Sequence, residues 1–249
     1  MTLVIKNMYK KHKKKSIVKN FSLKLNRGEI VGLIGPNGAG KTTSFYMIVG
    51  LIRPDQGKIF LNGEDITKYP IYHRSKKGIG YLSQETSIFR KLSVEDNILC
   101  ILEMQKNSYK ERKKKTEKLI EEFGLQKIRK IRGDLLSGGE RRRTEIARCL
   151  AGNPDFILLD EPFSGIDPIA TEELQKILLS LKKKKIGILI TDHNVQETFF
   201  ITDRLYLMFE GKIIKDGTYQ ELIQDPIAKK VYLGNHLKFQ KFFSKNRKE

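Results

Sequence analysis

The nine residues Gly35-Pro36-Asn37-Gly38-Ala39-Gly40-Lys41-Thr42-Thr43 constrain this chain more than any other stretch. They fit G-x-x-x-x-G-K-[ST], the pattern of a loop that wraps phosphate. The flanks suit that pattern. Ile30-Val-Gly-Leu-Ile34 reads as a buried strand, and Thr43 to Gly50, with Phe45, Met47, Ile48 and Val49, reads as a helix. Glycines let successive backbone N–H groups turn inward around phosphate oxygens, at the positive end of the following helix. Lys41 is placed to reach the outer phosphates, and the Thr42 hydroxyl to bind Mg²⁺.

The chain has 249 residues, of which 39% are hydrophobic. That is enough for one large domain, or for a core with an inserted subdomain. The formal charge is +19. Much of it lies in lysine runs at 13–15, 113–115 and 182–185, with no aromatic-studded RNA-binding signature beside them. No nucleic-acid partner is expected. Cys100 and Cys149 lie far apart, in no metal-like spacing, and read as small buried hydrophobes of a reducing compartment. No signal peptide opens the sequence, and no apolar run is long enough to span a bilayer. The expected location is cytoplasmic, with docking on a membrane partner left open.

Taken in order, Thr2 to Asn7 reads as a strand. Ile17 to Leu25 reads as a half-exposed antiparallel one, with Phe21, Leu23 and Leu25 on one face. The lysine-rich loop between them holds His12, and His12 or Tyr9 could offer a surface for an adenine ring. Gly57 to Leu61 is another strand and Asn62-Gly63 a hairpin turn, so antiparallel strands are expected to flank the strand before the phosphate loop. Gly80 to Gln84 closes a further strand, with Gln84 able to touch Mg²⁺ or water. From Glu85 to Gly152 the chain reads as a helical insertion. Within it, Ser137, Gly138 and Gly139 open a helix that Arg141 to Ala151 continues. This is a second glycine-rich helix start suited to phosphate, and it raises the question whether two ligands are bound or two chains share one. Phe156 to Asp160 reads as a buried parallel strand ending in Asp160 and Glu161. Asp160 can orient a Mg²⁺ shell, and Glu161 can polarise a water for in-line attack. Asp167-Pro168 opens a helix. Ile186 to Thr191 is the next buried strand, with His193 beyond its end, within reach of a γ-phosphate. Phe239 to Phe243 and a charged tail close the chain.

The phosphate loop, Gln84, Leu136-Ser-Gly-Gly-Glu140, Phe156 to Glu161, the Asp167 turn and His193 together resemble the ATP-hydrolysing subunits of ABC transporters. The resemblance implies an α/β, P-loop NTPase fold with a mostly parallel core sheet, an antiparallel β subdomain and an α-helical subdomain. Residues 1–84 and 153–236 would form the nucleotide-binding core with the antiparallel strands. Residues 85–152 would form the helical subdomain, and 237–249 a basic tail beyond the family's usual end. It also implies a head-to-tail homodimer with ATP and Mg²⁺ between subunits. Ser137, Gly138 and Gly139 would then face the γ-phosphate held in the other subunit's loop, with Asp167 at the dimer contact. Glu161 would be the general base, His193 the γ-phosphate sensor, and Gln84 the link from Mg²⁺ to the transport subunit. The family's adenine-stacking aromatic aligns with His12, with Tyr9 just before it.

Within the family, Phe45-Tyr46-Met47, Ser87-Ile88-Phe89-Arg90, Glu140-Arg141-Arg142-Arg143, Asp167-Pro168-Ile169 and Val231-Tyr232-Leu233-Gly234 resemble the lipopolysaccharide-export branch. Branched-chain amino-acid transport ATPases share several of these but generally lack the triple arginine and the Phe-Tyr-Met helix. The closer resemblance implies two membrane subunits of the LptF and LptG kind, with LptC, on the cytoplasmic face of the inner membrane. Phe89 and Arg90 would receive their coupling helices, Ile88 and Phe89 lying in an exposed-looking stretch. A soluble ABC protein acting on nucleic acid or the ribosome is the alternative of another class; a single phosphate loop speaks against it.

Overall fold

A computed structural model of the chain describes residues 1–193 and 195–235; the tail expected from 237 lies outside the described residues. The strands and α-helices run β1 (Thr2–His12), β2 (Lys15–Asn26), β3 (Ile30–Ile34), α1 (Lys41–Val49), β4 (Gln56–Leu61), β5 (Glu64–Asp65), α2 (Ile71–Lys76), β6 (Ile79–Leu82), α3 (Val94–Glu103), α4 (Tyr109–Glu122), α5 (Gly138–Ala151), β7 (Phe156–Asp160), α6 (Pro168–Lys183), β8 (Gly187–Thr191), α7 (Val195–Ile201), β9 (Arg204–Phe209), β10 (Lys212–Gly217), α8 (Tyr219–Gln224) and α9 (Pro226–Val231).

Six strands form the central sheet in the order β10-β9-β3-β8-β7-β6. Every neighbouring pair is parallel except β10 with β9. The strands β3, β7 and β8 are buried along their whole length, as expected where both faces of a parallel sheet are covered. Their side chains alternate between two cores. Val31, Leu33, Leu158 and Leu189 join Phe45, Met47 and Ile48 of α1 in one apolar cluster. Ile30, Ile157, Ile188 and Ile190 join residues of α3, α5 and α6 in the other. Burying one such isoleucine stabilises the fold by about 1.5–3 kcal/mol.

A second sheet, antiparallel, has the order β2-β1-β4-β5. It does not flank β3 as expected from sequence: the neighbours of β3 are β8 and β9. Leu3, Ile5, Phe21 and Leu23 instead pack into the α1 cluster, so this sheet covers the phosphate-loop helix as a separate layer. The strand β1 also runs past Asn7 to His12, and only a tight turn at Lys13 and Lys14 separates it from β2. The expected loop around His12 is therefore a hairpin end. A bulge hides this from a pattern of strict alternation. Asn7 has φ 49°, its side chain donates to Asn20 Oδ1 at 2.6 Å, and the pairing register shifts between Ile5 and Met8.

The far end of α1 is fixed by a residue the sequence does not advertise. Arg74 of α2 is fully buried, and its guanidinium donates to the carbonyls of Met47 (2.8 Å), Ile48 (2.6 Å), Thr67 (2.9 Å) and Tyr69 (2.8 Å). A cation on the last carbonyls of a helix satisfies acceptors that have no partner within the helix. The end of this helix remote from the phosphate loop is thus tied to α2.

Candidate nucleotide site

The parallel strands all end on one edge of the sheet, where open α/β sheets bind ligands. Gly35 follows β3, Gln84 lies two residues beyond β6, Asp160 and Glu161 end β7, and Asp192 and His193 follow β8. Gly35 has φ 149°, and a Cβ there would lie 2.1 Å from the Met208 carbonyl oxygen, so this position admits glycine alone. Gly40, at φ 102°, is the N-cap of α1, and no side chain caps the helix. Its first N–H groups are therefore available to an anion. The Lys41 ammonium folds back over the loop and donates to the carbonyls of Gly35 (2.7 Å) and Pro36 (3.0 Å). Burial lowers its pKa, while Glu161, Asp160 and Asp192 act to raise it.

The Asp160 carboxylate is only 2% exposed. Burial raises its pKa, against the Thr191 hydroxyl, which donates to Oδ1 at 2.6 Å. Glu161 turns out of the strand in the left-handed region, at φ 48°, a conformation costly for a residue with a side chain. Its carboxylate lies near enough to Asp160 to act on it electrostatically. Oε2 accepts from Gln84 Nε2 at 2.8 Å and faces His193 Nδ1 at 3.2 Å. Gln84, Glu161 and His193, expected from three separate segments, meet here. A cavity of about 580 Å³ opens beside them, lined by Lys15, Ser16, Ile17, Lys19, residues 37–43, Glu161 and Glu210.

His12 does not line that cavity. It is exposed and pairs with Lys15 across the hairpin turn. Tyr9 lines a neighbouring hollow with Lys11, Asp55 and Lys212. Because β1 continues to His12, the residues that reach the phosphate loop are Lys15, Ser16 and Ile17, at the start of β2.

The second glycine-rich start lies elsewhere, and none of its residues lines the cavity. Ser137 caps α5 in a reciprocal box with Glu140: its hydroxyl accepts from Glu140 N, and Glu140 Oε2 accepts from Ser137 N at 2.9 Å. Ser137 and Gly138 are exposed. Gly139 is buried, and a Cβ there would stand 2.7 Å from the Ala170 Cβ of α6. Asp167 is exposed and caps α6, accepting from Ala170 N at 2.9 Å.

Two buried charges join these regions, and the sequence does not single them out. Arg142 Nη1 donates to the Ser83 carbonyl at 3.0 Å and to Glu145 Oε2 at 3.1 Å. Glu145 Oε1 accepts from the backbone N–H groups of Ser87 (2.7 Å) and Ile88 (3.2 Å). The helix α5 is thus sewn to both sides of Gln84. In sequence this pair reads as an ordinary i,i+3 surface pair, because its backbone partners lie some sixty residues away. Farther along the same segment, Phe89 is 48% exposed, with the Arg148 guanidinium 4.9 Å from its ring centroid. Asn97 holds the backbone there, donating to Phe89 O at 3.1 Å and accepting from Phe89 N at 2.9 Å. Arg90 is exposed. Ile88 is not: it is 6% exposed, packed in the second core against Gly133.

The family model described as "ABC transporter" matches residues 18–164, the span from β2 to the Glu161 turn. The chain belongs to the ABC transporter ATPase family. Its nucleotide-binding, ATP-hydrolysing cassette is the α/β P-loop fold described above. The lipopolysaccharide export system ATP-binding protein LptB of Haemophilus influenzae is 52% identical over 237 residues, covering 95% of this chain and 98% of that protein. LptB of Escherichia coli K12 is 50% identical over 94% of this chain and 97% of its own length. An ABC transporter cassette in its ADP conformation superposes with a TM-score of 0.83 at 28% identity, covering 94% of this chain and 99% of that one. A nucleotide-free ABC cassette superposes equally well, with a TM-score of 0.83 at 28% identity. Among the described residues, no helix of this ABC cassette is long and apolar enough to cross a membrane.

Proposed function

We propose that this chain is the ATP-hydrolysing subunit of a lipopolysaccharide exporter, working as a homodimer on the cytoplasmic face of the inner membrane. The observation that carries the cargo is the 52% identity to the Haemophilus influenzae export protein along nearly the whole of both chains. The chemistry rests on the sheet edge. ATP and water give ADP and phosphate. The Lys41 ammonium exchanges its two loop carbonyls for outer phosphate oxygens. Glu161 Oε2 accepts the proton of the attacking water, and Gln84 and His193 hold that carboxylate in place. The Thr42 hydroxyl, the Asp160 carboxylate and the Gln84 amide oxygen are hard oxygen donors that suit Mg²⁺. Gln84 uses its nitrogen on Glu161, which leaves that oxygen for the ion. When bound, Mg²⁺ neutralises phosphate charge.

In this reading the second helix start is a half-site. The Ser137 hydroxyl gives its lone pair to the cap and keeps a proton to donate to the γ-phosphate held by the second subunit, where Gly138 and Gly139 add backbone N–H groups. Asp167 sits at the same contact. The Phe89 ring, stiffened by Arg148 and Asn97, and the exposed Arg90 form the surface for membrane subunits of the LptF and LptG kind, with LptC.

Mild-detergent isolation of the chain from its native membrane, with mass spectrometry of what accompanies it, tests the proposal. Two membrane subunits of the lipopolysaccharide-export kind are expected. Amino-acid permease subunits would overturn the cargo and leave the chemistry standing. Ribosomes or nucleic acid alone would overturn the transporter reading.

A further inference from the structure

The turn that carries Glu161 is pinned from the neighbouring strand. Glu161 is left-handed, at φ 48°, and such a conformation persists only where the surroundings over-determine it. Pro162, the next residue, has no N–H to give. The Glu161 N–H donates to the carbonyl of Thr191, the last residue of β8, at 2.7 Å, and the Ser164 N–H closes the turn onto the Glu161 carbonyl at 3.2 Å. Between them, the Phe163 N–H donates to Oδ2 of Asp192, just beyond β8, at 3.1 Å. Two consecutive residues thus hold the chain on either side of Pro162, while the Phe163 side chain is buried in the second core.

Asp192 is fully buried. A carboxylate in such a place is costly unless donors meet it. An apolar side chain there would cost less to bury, and would leave the Phe163 N–H without this acceptor. The second oxygen, Oδ1, faces His193 Nδ1 across 3.8 Å, and the same nitrogen stands 3.2 Å from Glu161 Oε2. One buried carboxylate therefore lies between the backbone of the Glu161 turn and the imidazole that meets the Glu161 side chain. We infer that Asp192 is a positioning residue for hydrolysis: its carboxylate holds the Phe163 amide, sets the turn that presents Glu161, and keeps that base in register with His193, its own neighbour in the chain. Asp192 does not line the cavity beside the phosphate loop, so its effect falls on the chemical step and not on nucleotide affinity. The inference rests on Glu161 being the general base.

The test is ATP turnover and ADP titration of Asp192→Ala in the full chain. Misplacement of the base is expected to lower kcat about tenfold, with the ADP Kd within about twofold of wild type. Asp192→Asn keeps an acceptor oxygen for the Phe163 N–H and is expected to recover most of the lost turnover. That variant also decides the matter if Asp192→Ala does not fold, since an asparagine variant slowed about tenfold would show that the acceptor is not what counts. Added to Glu161→Gln, Asp192→Ala is expected to slow the residual turnover by less than about twofold, because both changes act on one group. Equal slowing in the two backgrounds overturns the inference, as does an unchanged kcat, or an ADP affinity that falls as far as kcat. Glu161→Gln alone separates the two readings. If it turns over normally, the base assignment has failed. If it is inactive while Asp192→Ala turns over normally, the positioning role alone has failed.

Discussion

The chain contains two glycine-rich helix starts, and they differ in what their glycines are for. At the first, Gly35, Gly38 and Gly40 all have positive φ, and the backbone itself is the binding surface. A lysine, two carboxylates and the start of β2 close a cavity around it. At the second, none of the glycines needs positive φ. Gly139 is small because α6 is near, and the helix is capped by its own serine. The first start is a pocket with walls. The second is an exposed rim, which the proposed head-to-tail homodimer would cover with the other subunit. Under the proposed homodimer, one start alone would hold a nucleotide, and turnover would need the other subunit's second start beside it.

The sharpest way to break this contrast is Glu161→Gln. Turnover is expected to fall at least ~100-fold, with ATP still bound and a dimer trapped on size exclusion. Ordinary turnover would remove Glu161 from the base role. Lys41→Ala is expected to weaken ADP binding roughly ten- to a hundredfold, the loss of charge-assisted hydrogen bonds, as read by calorimetry. The second start should respond differently. Ser137→Ala is expected to leave ADP affinity of the isolated chain unchanged, to cost about 1 kcal/mol of stability through the lost cap, and to slow turnover. A parallel loss of ADP affinity would mean that the two starts share one pocket after all.

The smallest effect concerns Asp160. Its folded-state pKa is raised by burial, so its ionisation opposes folding at neutral pH. That cost is relieved as pH falls through the raised value toward the ordinary carboxylate range. Asp160→Asn is therefore expected to raise the thermal midpoint of the nucleotide-free chain slightly at pH 7. The gain should vanish as pH approaches 4, because wild type and variant are then both neutral at this position. A lower midpoint at pH 7 would show that the Thr191 hydrogen bond outweighs burial.

The first start was legible in sequence because a backbone that binds phosphate must spell out its glycines and its lysine. The buried strands were legible for a similar reason, since unbroken apolar runs such as Phe156 to Leu159 leave few alternatives. What escaped depended on distant partners. Nothing near Arg142 or Glu145 in sequence says that both are buried against the Gln84 segment. Nothing near Arg74 says that it caps α1. The strand β1 runs past the point where its alternation breaks, because Asn7 and Asn20 face each other at a bulge. His12, expected to offer the adenine surface, lies at the hairpin end and does not line the cavity beside the phosphate loop. Ile88 looked like a surface residue because its neighbours are polar or exposed, yet Gly133 leaves room for it to turn inward.

Gln84, Glu161 and His193 stand beyond the ends of adjacent strands β6, β7 and β8, with Gly35 beyond the next, β3. Strand spacing is set by backbone hydrogen bonding at about 4.8 Å and does not depend on which side chains the strands carry. The sheet therefore serves as a ruler whose graduations are fixed by peptide chemistry. Drift in the apolar residues beneath it changes how firmly the ruler is held and leaves the marks where they are. Only the short segments beyond the strand ends are left to adjust the site.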